Sequence, residues 1–399
     1  MEIDHPVLFI EINNTNYVFV AGVYDENQKL KVIEKIITPN AGIEKNKLTN
    51  IIEASNVIKK NIAIIEKKLN YIFKDVTVVI DNFDYSCINI SGFKKLNGSQ
   101  VLKENISYIL NSLKLAVTEN EKEKTILHIF NSKSVLDGIN VDNLPIGLFG
   151  DFYSHELTFF LIGNNDLKNI QKIFNKNNLN IKKVILKNFG EGVQLINQNK
   201  DIETFLKIKI SEDISYINFF DNASFRYSEY FNFGTDIIFR DIEKICSLDN
   251  EIIRRFLSNS FSNKKSFNEN EILEENYFTK GNFRKIRKKL ISDIADARIN
   301  EIIDIIFNKN INIEFLKKNK IKIYLTIKDK QIFENFKESF KSYFSKNSNF
   351  EIYFINDFET DELIMNIANL SIYGWKKEAI PTTKLKNSLI TRIFKSLFG

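Results

Sequence analysis

The side chains that most often carry out catalysis or bind metals are few in this chain. Its two cysteines, Cys87 and Cys246, stand far apart, and none of the three histidines (His5, His128 and His155) is spaced with them as metal ligands would be. Two buried thiols in a reducing compartment are the expected state of the cysteines. The sequence therefore predicts neither a metal site nor a His–Cys catalytic pair.

Glycine is also scarce, with 14 in 399 residues, about half of the usual share of ~7%. Loops that bind phosphate need glycine so that backbone N–H groups can approach the ligand. The chain therefore has few places in which to build such a loop. A net charge of +5 is small for this length and gives no broad footprint for nucleic acid.

The last twelve residues have the pattern of a basic amphipathic helix. One half of the helical wheel is apolar and comprises Leu389, Ile390, Ile393, Phe394, Leu397 and Phe398. Arg392 and Lys395 lie on the other half, and no acidic residue follows Pro381. Such a helix lies in a membrane interface, where its cations favour anionic lipids. The alternative is a terminal helix docked on the protein's own core.

The rest of the chain has no membrane signal. Two of the first four residues, Glu2 and Asp4, are acidic where a secretory signal would be basic, and no apolar run reaches the ~18 residues of a spanning helix. We therefore expect a cytoplasmic body of which the tail alone contacts a bilayer.

Two stretches of the chain share one order of predicted elements. The first has strands at 7–13, 17–22, 30–37 and 75–80, with a helix at 51–73 before the last strand. The second begins with strands at 205–210, 215–220 and 225–233 and a helix at 236–247, and one long helix is predicted further on at 283–307. Residues 83–161 form an α+β module inserted into the first copy. This β-β-β-α-β plan resembles the opening of an actin-like half domain.

Several segments resemble, in order and spacing, the bacterial cell-division family FtsA. They are Ile126-Leu-His-Ile-Phe130, Leu136-Asp-Gly138, Asn143-Leu-Pro-Ile-Gly-Leu-Phe-Gly150, Asn169-Ile-Gln-Lys-Ile-Phe-Asn175, Val184-Ile-Leu-Lys187 and the stretch 225–242. The basic C-terminal helix resembles the family's membrane-targeting sequence. The resemblance runs over nearly the whole chain and rests on the shared order rather than on any one motif.

The resemblance implies an α/β fold of the actin-like kind. A ribonuclease H-like β-β-β-α-β-α plan is duplicated in two lobes, with an inserted SHS2 (1C) α+β domain and a C-terminal amphipathic helix. The implied subdomains are 1A (1–82 and 164–199), SHS2/1C (83–163), 2A (200–236 and 315–376), 2B (237–314), a linker (377–387) and the membrane-targeting helix (388–399).

Actin-like ATPases hold nucleotide with three loops, and the chain departs from the first of them. The family's Asp-x-Gly-Ser/Thr is replaced by Glu11-Ile12-Asn13-Asn14. Glu11 replaces the Asp that orders the metal-bound water. Asn13 stands where Gly would let the backbone approach phosphate.

The second phosphate loop, usually Asp-x-Gly-Gly-Gly-Thr, also departs from the family pattern. It aligns with 209–214, so that Lys209 stands at the first Asp. The carboxylates of Glu212 and Asp213 would then face a polyphosphate, which is unfavourable.

The adenosine loop ends a strand with Ile327 and Lys328 in place of Gly-Gly. Only Glu251 and Arg254 match the family's Glu-x-x-Lys helix. Although the family would be expected to bind ATP and Mg²⁺, these departures predict a pseudo-ATPase with no cofactor. A rebuilt nucleotide site is the alternative.

The family binds the tubulin-like FtsZ through basic residues on and near the long helix of subdomain 2B. The segment 296–303 resembles the family's "rpRleEll", which marks Arg298 as the matching Arg. Its guanidinium would receive acidic groups of an FtsZ tail. Lys288 and Lys289 are candidates to add charge, unless they only form the solvated face of a helix.

The resemblance thus implies a non-enzymatic adaptor that tethers FtsZ to the cytoplasmic face of the inner membrane at the division site. Its expected partners are the FtsZ C-terminal peptide, anionic lipids, other divisome proteins and further copies of itself in filaments, but no nucleic acid. The alternatives are a type IV pilus scaffold of the PilM kind, a working sugar-kinase- or chaperone-like ATPase, and an actin-like scaffold with another partner.

Overall fold

The computed structural model describes residues 5–44, 46–81, 83–199, 201–260, 267–278, 283–318, 320–346 and 350–379. The chain divides into two compact units. Among the described residues, unit 1 contains those up to Leu186 and those from Ala368 to Ala379, and unit 2 contains those of the range Lys187–Ile367.

Unit 1 is built on a five-stranded sheet with the order β11-β6-β1-β2-β3. Its strands are β1 (Val7–Ile12), β2 (Asn16–Tyr24), β3 (Leu30–Pro39), β6 (Asp75–Ile80) and β11 (Asn180–Leu186). A short hairpin of β4 (Ile43–Glu44) and β5 (Lys47–Leu48) precedes helix α1 (Ile51–Leu69). The pairs β1–β2 and β2–β3 are antiparallel, whereas β6 is parallel to both β1 and β11.

The start, the end and the buried face of helix α1 follow from its sequence. Asn50 caps its start by accepting hydrogen bonds from the N–H groups of Ile52 and Glu53. The helix ends at Asn70, whose left-handed φ of 49° is tolerated by asparagine. One face buries Ile58 and Ile65 completely, and each such side chain contributes about 1.5–3 kcal/mol.

The inserted module lies between β6 and helix α3 (Asn164–Asn175). It contains β7 (Tyr85–Lys95), α2 (Lys103–Asn120), β8 (Lys124–Leu136), β9 (Ile139–Val141) and β10 (Phe152–Gly163). Its antiparallel sheet has the order β7-β10-β8-β9 and packs against α2, with Ile109 and Leu113 facing Leu157 and Phe159 in one core. The predicted α+β insertion is therefore present as a folded layer.

Unit 2 repeats the plan with a second five-stranded sheet, in the order β14-β13-β12-β15-β16. Its strands are β12 (Phe205–Ile210), β13 (Ser215–Asp221), β14 (Ser224–Phe231), β15 (Lys322–Ile327) and β16 (Glu351–Phe354). Its helices are α4 (Lys187–Gln198), α5 (Asp236–Cys246), α6 (Asn250–Ser260), α7 (Lys288–Ile303), α8 (Lys330–Ser345) and α9 (Thr360–Tyr373), the last of which continues into unit 1. Short 3-10 turns occupy Glu275–Tyr277 and Ile311–Lys318.

The predicted β-β-β-α-β series is confirmed in both units, but two segments differ from the expectation. The predicted helix 283–307 is shorter, because α7 begins at Lys288 and its last turn widens into a π-helix at Asp304–Asn308. Helix α4, assigned to the first lobe from the sequence, packs in unit 2.

Candidate functional site

The turn that follows β1 is held closed by the side chain of Asn13. Its Oδ1 accepts hydrogen bonds from the N–H groups of Thr15 at 2.9 Å and Asn16 at 2.8 Å, and from the Thr15 hydroxyl at 2.8 Å. Its Nδ2 donates to Oε1 of Glu11 at 2.8 Å, and both side chains are buried. Asparagine commonly captures the amides that follow it in a turn. The N–H groups of Thr15 and Asn16 therefore have a partner within the chain.

Asn14 ties the same turn to the segment that precedes α1. Its Nδ2 donates to Oδ1 of Asn46 at 2.5 Å, and the N–H of Asn46 donates back to Oδ1 of Asn14 at 3.3 Å. Its carbonyl accepts from Nδ2 of Asn40 at 2.9 Å. Asn14 is thus part of a polar framework that fixes the shape of the turn.

The turn between β12 and β13 points carbonyl groups toward the start of α5. The N–H of Thr235 donates to the Ser211 carbonyl at 2.9 Å, and the N–H of Asp236 donates to the Glu212 carbonyl at 2.9 Å. A Cβ at Gly234 would lie 2.1 Å from the Ser211 oxygen, so only glycine permits this approach. The carboxylates of Glu212 and Asp213 lie in solvent.

Strand β12 carries two buried lysines beside a buried glutamate of α4. The ammonium of Lys207 contacts Oε2 of Glu191, and that of Lys209 lies 3.4 Å from Oε1. Lys209 also lies 2.9 Å from Oδ1 of Asp357, whose side chain is partly exposed. We call Glu191, Lys207, Lys209 and Asp357 the ion network.

The ion network is charge-paired in the interior of unit 2. Burial alone would raise the pKa of Glu191, but the charges of Lys207 and Lys209, with Lys187, outweigh burial and hold that pKa far below its usual range. Glu191 is therefore ionised at neutral pH. Buried charges of this kind persist only when each has a close partner.

Of the positions aligned with the adenosine loop and the adenosine helix, Arg254 of the helix is held by contacts within unit 2. Arg254 lies 3.2 Å from the Asp329 carboxylate, donates to Oδ1 of Asn250 at 2.8 Å, and stacks over the ring of Phe239 at 4.2 Å. Asp329 itself caps α8 through the N–H of Ile332.

The other three positions on this side differ in exposure. Ile327 is buried at the end of β15, whereas the side chain of Lys328 is exposed. Glu251 is exposed and lies 3.8 Å from Arg255 one turn further along α6.

The cations proposed to bind FtsZ each contact an acidic residue of unit 2. Arg298 on α7 pairs with Asp241 of α5 and, at 2.6 Å, with Glu301. Lys288 pairs with Glu274, and Lys289 lies 2.9 Å from Glu269. These cations are therefore already neutralised in part. The exposed Glu301 is the partner of Arg298 that a competing carboxylate would most easily replace.

The predicted membrane helix 388–399, with all of its candidate residues, lies outside the described residues. The residues that precede it are attached to the inserted module. The N–H of Asn131 donates to the Lys377 carbonyl at 2.7 Å, and the N–H of Ala379 donates to the Ile129 carbonyl at 2.7 Å. Residues 377–379 thus add to the edge of β8, although the sequence placed them in a free linker.

Glu378 completes this attachment with its side chain. Its carboxylate accepts from Nδ1 of the buried His128 at 2.8 Å and lies 3.4 Å from Nζ of Lys183. Nε2 of His128 accepts the N–H of Leu186 at 3.3 Å, which assigns the Nδ1–H tautomer. Burial alone would raise the pKa of Glu378, but its hydrogen bond to His128 and the charge of Lys183 lower it.

The remaining histidines and the cysteines do not assemble into a site. His155 is buried on β10, its ring nitrogens have no hydrogen-bond partner in the described structure, and burial lowers its pKa to about 4. The two cysteines are not joined in a disulfide. Cys246 is buried, whereas Cys87 is only partly buried, so the expectation of two buried thiols is wrong for Cys87. Over the described ranges, no group of three His, Cys, Asp or Glu side chains is placed to hold a metal ion.

None of the described helices combines the length and apolar character needed to cross a bilayer.

The sequence did not point to the ion network, because its members are distant along the chain. A signal was present in β12, whose residues are all buried although two of its six are lysine. Lysines at alternate positions of a buried strand require a buried counter-charge, and Glu191 provides it.

Known proteins that are similar to this chain agree with its fold. No family model matches the chain. The structure of a PilM–PilN type IV pilus biogenesis complex is similar with a TM-score of 0.51 at 10% sequence identity, covering 94% of this chain and 98% of the other. Together with the duplicated plan, this defines the class: the chain has an actin-like fold.

A relative with a known role is found by sequence similarity. Over 308 residues, the chain is 24% identical to the cell division protein FtsA of Buchnera aphidicola subsp. Schizaphis graminum (strain Sg), covering 76% of this chain and 72% of that protein. The resemblance to FtsA that the sequence motifs indicated is therefore confirmed.

Proposed function

We propose that this protein is a cell-division adaptor that tethers FtsZ to the cytoplasmic face of the inner membrane at the division site and works without hydrolysing ATP. The observation that carries the proposal is the similarity to FtsA over three quarters of the chain. The basic amphipathic pattern of 388–399 supplies a membrane anchor of the kind that peripheral proteins use.

Two features of the described residues support a pseudo-ATPase. The amides after Asn13 are bound by its side chain, whereas a phosphate loop turns such amides toward the ligand. A lysine ammonium stands at position 209, where the family has a carboxylate, and it is bound by Glu191 and Asp357. The residues present therefore do not fit Mg²⁺–ATP, and the proposed function includes no step in which nucleotide is bound or hydrolysed. A saturable ATP signal in titration calorimetry would overturn this part of the proposal in favour of a rebuilt ATPase site.

FtsZ capture is assigned to Arg298. Exposed pairs such as Arg298–Glu301 contribute only about 0.2–1 kcal/mol, so an acidic FtsZ tail would displace Glu301 at small cost. The pair with Asp241 on α5 would keep the guanidinium in place. Lys288 and Lys289 would add a longer-range attraction.

Self-association strengthens such a tether. A short amphipathic helix binds membranes reversibly, and filaments of linked copies raise the effective affinity. We assign contacts between copies to the inserted module, as an SHS2 domain, and expect further divisome proteins to be recruited to the assembly.

Vesicle co-sedimentation tests the proposal. The full chain and a chain stopped before Pro381 are mixed with anionic vesicles and a labelled FtsZ C-terminal peptide from the same organism. The proposal predicts that only the full chain carries the peptide into the pellet. If the protein pellets without the peptide, it is a membrane scaffold for another partner. If neither chain pellets, the tail is a docked helix and the PilM-like alternative is favoured.

A further inference from the structure

A pocket of about 600 Å³ opens at one edge of the first sheet, wholly within unit 1. Val7, Asp75 and Lys182 contribute to its wall, at or near the starts of β1, β6 and β11. These strands run parallel in the order β11-β6-β1, so the pocket lies at their amino ends. The turn at Asn13 lies at the opposite, carboxyl edge. The pocket is therefore separate from the positions aligned with the first phosphate loop.

The floor of the pocket is apolar and aromatic. Phe9, Phe73 and Val76 are buried side chains that line it, and Tyr24 and Tyr71 add two partly exposed rings. Its volume falls within the range of about 300–1,000 Å³ that is usual for ligand sites.

An exposed apolar side chain at the rim indicates that the pocket binds a partner. Ile72 lines the pocket with 75% of its surface exposed, which leaves a large apolar side chain in water beside an apolar floor. Its position allows it to cover an apolar group that enters the pocket. Such exposed apolar surface beside polar groups is typical of binding sites.

The rim also carries an excess of positive charge. Lys74 and Lys182 are exposed and pair with no acidic side chain among the described residues. Lys183 already forms an ion pair with Glu378, and Asp75 is the acidic residue that lines the pocket. An anionic group that enters the pocket would therefore be attracted to Lys74 and Lys182.

We infer that this pocket binds an extended peptide segment of a partner protein that carries an acidic residue close to an apolar or aromatic one. The apolar side chain packs on Phe9 and Phe73, and the acidic side chain pairs with Lys74 and Lys182. A peptide is favoured over a lipid because β11 is an outer strand of its sheet. Outer strands offer main-chain donors and acceptors that an extended peptide uses and an acyl chain does not.

Selection from random octamers displayed on phage tests this inference with the full chain. An enriched octamer is synthesised with a fluorescein label, and its binding is measured by anisotropy. The pocket variants are Lys74→Glu/Lys182→Glu, which reverses the rim charge, and Ile72→Asn, which removes exposed apolar surface. Lys59→Glu/Lys60→Glu on α1 is the charge-matched control, since both lysines are exposed and neither lines the pocket.

The inference predicts that the enriched octamers combine an acidic residue with a nearby apolar or aromatic one. The charge-reversed pocket variant should bind about tenfold more weakly, Ile72→Asn should also weaken binding, and the control should match the wild type. All changed side chains are exposed, and circular dichroism verifies that each variant is folded.

Two results would overturn the inference. One is enrichment without this pattern, or equal affinity for the pocket and control variants. The other is failure to enrich any octamer while the pocket variant alone loses binding to phosphatidylglycerol vesicles, which would make the pocket a lipid site. The inference is independent of the proposed FtsZ tethering. The octamer binding assay contains neither FtsZ nor a membrane, so its result does not depend on whether the protein tethers FtsZ.

Discussion

Nζ of Lys209 lies 3.4 Å from Oε1 of the buried Glu191 carboxylate. Lys207 contacts the second carboxylate oxygen of Glu191, and Asp357 provides a second anion for Lys209. Two ammonium groups and two carboxylates thus neutralise one another inside unit 2. Lys209 is the residue that we align with a carboxylate of the FtsA family. Its pairing in the ion network therefore supports the proposed loss of nucleotide binding.

Replacing Glu191 with glutamine should destabilise the protein strongly. The Glu191→Gln change leaves Lys207 and Lys209 buried with Asp357 as their remaining counter-charge in the ion network. Removing one partner of a buried pair costs about 3–5 kcal/mol. Urea unfolding followed by circular dichroism measures this loss. The exposed control Glu251→Gln should stay within about 0.5 kcal/mol of wild type, and an equally small effect for Glu191→Gln would contradict a stabilising network.

The lowered pKa of Glu191 should make the stability of the protein depend on pH. The folded pKa of Glu191 is lowered, so the unfolded chain binds the proton more readily. Its contribution is complete above the unfolded pKa, about 4.3, and is lost as the pH falls from there toward the folded value. Urea midpoints measured from pH 7 to pH 3 should fall more steeply for wild type than for Glu191→Gln. Parallel curves for the two proteins would show that Glu191 does not titrate as described.

Asn13 should stabilise the turn that it closes. In Asn13→Ala, the N–H groups of Thr15 and Asn16 and the carboxylate of Glu11 each lose a hydrogen-bond partner. A hydrogen bond of this kind contributes about 0.5–1.5 kcal/mol net, and because several are lost together the unfolding free energy should fall by about 1–3 kcal/mol. The matched control is Asn16→Ala, whose side chain makes an exposed hydrogen bond to Thr15. Equal stability of both variants would show that the turn does not depend on the Asn13 side chain.

Glu378 should hold the residues before the tail on the inserted module. Glu378→Ala removes the acceptor for His128 and the counter-charge of Lys183, so residues 377–379 should separate from β8 more often. Hydrogen exchange of the Asn131 amide, which donates to the Lys377 carbonyl, should accelerate by about tenfold, since one lost interaction of ~1.4 kcal/mol shifts an opening equilibrium by that factor. The amide of Phe19, inside the first sheet, serves as the control. Unchanged exchange at Asn131 would mean that backbone pairing alone holds the segment.

The regular elements were predictable because they follow from local periodicity. Alternating and continuous apolar runs located β1, β2 and β6, and the 3.6-residue period located α1. The widened turn at Asp304–Asn308 was not predictable, since it departs from the regular helical hydrogen-bond spacing that the period assumes.

The candidate site was predictable only in part. The residue types at the two phosphate loops and the adenosine loop were enough to predict that these loops depart from the FtsA pattern. The partners of those residues could not be inferred, because Glu191 and Asp357 lie 18 residues before and 148 residues after Lys209 in sequence and meet it only in the fold. The pairing of Glu378 with His128 spans 250 residues for the same reason.

The most direct test of the account is vesicle co-sedimentation of nucleotide-free full-length protein with the labelled FtsZ peptide, with and without millimolar Mg²⁺–ATP. If tethering is independent of ATP, the peptide should enter the pellet to the same extent in both samples. A peptide that stays in the supernatant without nucleotide and pellets only with Mg²⁺–ATP would contradict a tether that works without ATP.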